Sequence, residues 1–147
     1  MIISPQACLF NKTTKRMWIC LQSMSDGSYN DRHLSLVELK KNDIFKISQV
    51  VYLNLIPDVR RILSACWLDE VHALILVETN STYAQDNIPV WWYYSEIWSV
   101  NVSTHEIEFV HRFSYPLCSS QIQDKAGIDV REDKIYYTRN TLSTMFE

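Results

Sequence analysis

The sequence predicts an all-β chain built from antiparallel four-stranded units. Three observations carry this. Short runs rich in Val, Ile, Tyr, Trp and Thr alternate with polar turns at hairpin spacing. No helical period lasts beyond about two turns, and the strand pattern recurs after about sixty residues. At 147 residues, with 47% apolar and 21% charged, the chain has the size and composition of one globular domain.

The elements follow in order. Strands are expected near Ala7–Asn11, Arg16–Met24, His33–Lys40 and Asp43–Leu53, then near Ile62–Asp69, Val71–Asn80, Val90–Val102 and Glu106–Tyr115. A last pair falls at Ala126–Arg131 and Lys134–Thr138, with an extension to Phe146 left open. The joins Asn11-Lys12-Thr13-Thr14, Lys41-Asn42-Asp43, Ser103-Thr104-His105 and Glu132-Asp133 carry residues whose side chains hydrogen-bond their own backbone in turns. Pro57–Leu63 is the only helix candidate, and it is short.

The repeat can be aligned residue by residue. Ala7-Cys8-Leu9-Phe10-Asn11 matches Ala65-Cys66-Trp67-Leu68-Asp69 at an offset of 58, and Trp18–Ser23 matches Leu74–Thr79 at 56. The second hairpins match at 63, from Leu34 against Ile97 to Ile47 against Val110. A partial third copy sets Ile128 against Trp67 and Ile135–Thr138 against Leu74–Val77 at 61. The units are one all-β body over 1–147, with repeat 1 at about 5–56, repeat 2 at about 62–116 and partial repeat 3 at about 122–147.

Such a tandem unit resembles a β-propeller blade of the WD40-like or kelch-like kind, and covers the chain as about two and a half blades. The Gly-His and Trp-Asp signatures of WD40 repeats and the Gly-Gly of kelch repeats are absent. With only Gly27 and Gly127, Asn and Asp would have to supply the tight turn positions. Propellers close with about four to eight blades, so the resemblance implies completion by other chains or by the rest of a longer protein. The alternative is a ten-stranded up-and-down barrel carrying a small apolar ligand. Non-alternating runs such as Leu74-Ile75-Leu76-Val77 favour the blade, because they read as buried on both faces.

Several function classes lose support. The net charge is −3 and the basic residues form no block, which disfavours nucleic acid. Two glycines a hundred residues apart cannot form a phosphate loop. No apolar segment approaches a membrane span, and Met1–Asn11 lacks the pattern of a signal peptide. A cytoplasmic or nuclear setting is expected, which makes the sequons at Asn11, Asn80 and Asn101 chance matches.

No cofactor or metal is expected. Cys8, Cys20, Cys66 and Cys118 contain no C-x-x-C pair, and His33, His72, His105 and His111 have no metal-ligand spacing. Cys8 and Cys66 are read as buried thiols at matching strand positions, and Cys118 as the accessible one. Asp69-Glu70 and Glu132-Asp133 are read as turn chemistry rather than an acid–base pair. No catalytic residue is assigned, although an enzyme with scattered residues would leave no trace in one sequence.

The binding candidate is Trp91, Trp92, Tyr93 and Tyr94. The connection ahead of them is seven residues longer than its counterpart in the first unit, as the offset rises from 56 to 63. Neighbours on a strand point to opposite faces, so four consecutive rings cannot all pack into one layer. The expected function is a non-enzymatic scaffold for other protein chains, homo- or hetero-oligomeric, with no nucleic acid or membrane partner.

Overall fold

A computed structural model describes residues 2–24, 32–82, 92–119 and 125–139. The strands it contains are β1 (Ile2–Asn11), β2 (Arg16–Met24), β3 (Arg32–Lys40), β4 (Asp43–Tyr52), β5 (Val59–Trp67), β6 (His72–Thr82), β7 (Tyr93–Asn101), β8 (Ile107–Arg112), β9 (Ile128–Arg131) and β10 (Lys134–Tyr137). They form two four-stranded antiparallel sheets, β1-β2-β3-β4 and β5-β6-β7-β8, and a two-stranded sheet of β9 and β10. The all-β expectation holds. Among the described residues no sheet closes into a barrel, which overturns the ten-stranded alternative.

The reason lies between β4 and β5. The Leu53 N–H donates to the Leu34 carbonyl and the Ile56 N–H to the Leu53 carbonyl, so the chain turns instead of pairing onward. Asp58, in the left-handed region at φ 53°, completes the reversal. The helix candidate Pro57–Leu63 is therefore a turn followed by a strand. Its apolar residues serve opposite sides: Ile62 packs into one core cluster and Leu63 into the other. That is strand alternation, not a helical stripe.

The sheets stack. The first cluster joins Leu9, Trp18, Cys20, Leu36 and Val51 of the first sheet to Ala73, Ile75, Val77 and Val100 of the second. The second joins Leu74, Leu76 and Ile97 to Ile128 of the short sheet, with Phe113, Leu117 and Cys118 from the connection between them. β6 is thus buried on both faces, as its non-alternating run requires. Trp18 and Trp67 meet edge-to-face across the first interface, ring centroids 6.0 Å apart.

The register corrects one detail of the repeat. Leu9 pairs with Trp18 and Ala7 with Cys20, while Cys66 pairs with Leu74 and Ser64 with Leu76. Trp18 and Cys20 face forward in the stack, as do Leu74 and Leu76. The first strands therefore correspond at an offset of 57, not 58. A slip of one residue exchanges the two faces of a strand, so Cys8 and Cys66 are not equivalent. Cys66 corresponds to Leu9.

Turn chemistry supplies what glycine usually does. Asn11 Oδ1 accepts from the backbone N–H of Thr13 and Thr14, and Asn101 Oδ1 accepts from Ser103 and Thr104 in the same way. The left-handed positions fall to Lys15, Asp58, His105 and Glu132. Two of the sequons are thus side-chain-capped turns. Asn11 is only 4% exposed, and its Nδ2 donates to the Glu70 carbonyl of the second sheet.

Candidate interaction surfaces

The register sorts the first sheet into two faces. Leu9, Trp18, Leu36 and Val51 point at the second sheet. The paired positions Phe10 and Met17, Cys8 and Ile19, Val37 and Val50, Ser35 and Tyr52, and Leu39 and Ile47 point away from it. Among the described residues no strand packs against that outer face. Phe10 is 49% exposed, Ile47 52% and Tyr52 65%, while Val37 in the middle of the face is 3% exposed, and none of these paired positions carries a charge. An uncharged apolar sheet face on a folded chain is an unusual surface. The face is not legible in the sequence because it emerges only once the register is known. Its signal was the apolar residues flanking Leu9 and Trp18 on both sides.

The aromatic segment divides. Trp91 lies outside the described residues. Trp92 is 2% exposed and belongs to the interior. Tyr93 and Tyr94 are half-buried on opposite faces of β7, each beneath an arginine. The Arg60 guanidinium sits 4.4 Å from the Tyr93 ring centroid and that of Arg112 4.0 Å from Tyr94, distances at which a cation is held by the ring's negative face. Arg112 also pairs with Glu96 at 3.6 Å, and Glu96 Oε1 accepts from Trp98 Nε1.

Beside Tyr93 lies a buried ion cluster. Arg61 Nε donates to Glu78 Oε2 at 2.9 Å and Arg60 Nε lies 3.3 Å from the same oxygen, while the Glu78 side chain is 1% exposed. Burial pushes the Glu78 carboxyl above its ordinary value, and the two guanidiniums pull against that rise. Arg61 Nη2 reaches onward to the Ser119 carbonyl at 2.9 Å and to Cys118 Sγ at 3.8 Å. Lys125 Nζ donates to the Ile62 carbonyl, and burial, then Arg61, lowers its pKa. The cluster ties the connection after β8 to the middle of the second sheet. Its signal in the sequence was Glu78 closing an apolar run and the pair Arg60-Arg61 opening a strand.

No protein-family model, curated protein or solved structure matches this chain.

The cysteines are rearranged relative to expectation. All four are free thiols. Cys8 is exposed on the outer face of the first sheet, whereas Cys118 is 2% exposed, covered where its connection packs on the second sheet. Burial pushes the Cys20 thiol up to about 12 and, with help from Asp129, the Cys66 thiol up to about 11. Asp69 behaves as a turn residue, accepting from the N–H groups of Val71 and His72 and from His72 Nδ1. Its carboxyl is lowered: the backbone bonds and His72 outweigh a desolvation contribution that raises it. His33 carries no described side chain. Among the described residues no three His, Cys, Asp or Glu side chains converge to hold a metal. A cleft of about 280 Å³ opens between the two large sheets near Trp18, Glu38, Gln49 and Glu70.

Proposed function

We propose that the chain is a non-enzymatic protein-interaction module made of propeller-like blades, and that the outer face of the first sheet is where another protein docks. The observation that carries the reading is that face: mainly apolar and uncharged at its paired positions, with Phe10, Ile47 and Tyr52 about half exposed or more around a buried Val37. Sheets stacked in chain order, with β1, β5 and β9 lying side by side, are what supports the propeller resemblance; a blade normally covers such a face with its neighbour. Lack of charge suits a protein surface rather than nucleic acid, which needs cations against phosphate. Tyr93 and Tyr94 with their arginines form a second contact region, of the residue types enriched at binding hot spots. Four free thiols suit an intracellular chain.

The test is an apolar-surface dye titrated with dilute chain. Dye fluorescence that falls several-fold in a Phe10→Ser/Ile47→Ser variant of unchanged β-sheet signal supports an available docking face. A native chain no brighter than the variant refutes it.

A further inference from the structure

We infer that the occupant of the outer face of the first sheet is a second copy of this chain, packed face to face about a two-fold axis. This rests on the reading of that face as a docking surface and adds what fills it.

The two ends of the stack differ in kind. One end is the uncharged face that includes Phe10, Met17, Ile47 and Tyr52. The other is the outer side of the β9–β10 hairpin. Ile128 and Val130 pack inward there, so Asp129, Arg131 and Lys134 point out together with Tyr136. Arg131 and Asp129 pair with each other in the open, their side chains 78% and 57% exposed. Head-to-tail stacking of copies would press these ions onto an apolar face and strip their water with nothing to replace it. A face that is mainly apolar, broken by Ser35 and uncharged at its paired positions, is complementary to itself, which is the requirement of an isologous interface.

The size is sufficient. Four strands about 4.8 Å apart, with about eight residues each rising about 3.3 Å, give a face of at most about 500 Å², part of it already covered at Val37. Two such faces bury at most about 1,000 Å², the lower edge of specific interfaces. The dimer is therefore weak and governed by concentration. Sheets packed in this way lie about 10 Å apart with strands within about 30° of alignment. Cys8, exposed on this face in one copy, is covered in the pair.

The experiment is sedimentation equilibrium of the intact chain from about 1 to about 200 μM, where mass action moves a weak dimer across its midpoint. The comparison is Ile47→Glu/Tyr52→Glu, two side chains 52% and 65% exposed and so outside the core. The expected result is a mass rising to twice 17.3 kDa for the native chain and staying at one copy for the variant, at equal β-sheet signal. Thiol labelling of Cys8 should also slow at least tenfold in the native chain at the highest concentration. A native chain that stays monomeric overturns the second copy; if it still binds the apolar dye, the docking face stands with a different occupant, and if it does not, both readings fall. A ladder of masses beyond two copies, a dimer that survives in the variant, or Cys8 labelling independent of concentration overturns the face-to-face pair. Should the variant lose its β-sheet signal, the milder Tyr52→Ser, read by the same masses, decides the question.

Discussion

Arg61→Met separates the buried ion cluster from the apolar packing around it. The substitution keeps the length and apolar stem of the side chain and removes the guanidinium. Glu78, 1% exposed, would lose its 2.9 Å partner and keep only Arg60 at 3.3 Å. Removing one member of a buried pair costs about 3–5 kcal/mol, and the remaining arginine places this case near 3. For a domain of this size that is about 6–12 °C in Tm. The loss should depend on pH. Burial already holds the folded Glu78 carboxyl above its ordinary 4.5, and Arg61 is the largest influence lowering it. Without Arg61 the folded value climbs further. A carboxyl raised in the folded state favours folding when protonated, so the variant's deficit is greatest above that raised value and shrinks as pH falls towards 4.5. Urea unfolding followed by Trp fluorescence at about pH 8 and about pH 5 reads both effects. Equal losses at the two pH values, or a loss below about 1 kcal/mol, would show that Glu78 is hydrated and the cluster is not a buried pair.

Dilute native chain treated with a thiol reagent near neutral pH should label Cys8 first; Cys66, pushed up to about 11, and the buried Cys20 and Cys118 should follow only on opening, and early labelling of Cys118 would refute its placement. Asn11→Ala should cost about 3 kcal/mol and Asn101→Ala about 2, at about 1 kcal/mol per lost hydrogen bond, because Asn11 also bonds to Glu70 across the sheet interface while Asn101 Nδ2 only approaches His72 Nε2 at 3.5 Å. Equal losses in urea unfolding would refute an inter-sheet role for Asn11.

The order and antiparallel grouping of the strands were legible because turn residues and β-branched runs are local signals. Burial of β6 on both faces could be read from Leu74–Val77 alone. Register was not legible. Irregularities at Pro5/Ala7 and Ile62/Ser64 shift the strands by single residues, and composition hardly records a bulge. Cys8 was misplaced by the turn, which shortens by one residue between Leu9–Trp18 and Cys66–Leu74, while its alanine neighbour made it look like Cys66. The tight turns were half legible. Asn11 and Asn101 were expected to serve them, yet they cap through their side chains while Lys15 and His105 take the left-handed backbone. The outer face depends on which sheet lies against which, and the Arg61–Glu78 pair on the bulged register of β5 against β6; no local pattern states either.

In each sheet, every strand pairs with the strand before or after it in sequence. The sheets can therefore form by hairpin closure alone, each step joining segments already near one another. Such local closures are quick, but a lone hairpin is marginal in water. Cooperativity must come from stacking, above all from seating β6 between its two neighbours. A nascent chain is then most vulnerable after the first sheet has zipped and before the second arrives, when Trp18, Leu36 and Val51 still face water. In that interval the first sheet exposes both its sides, and its encounters with other chains compete with its own completion.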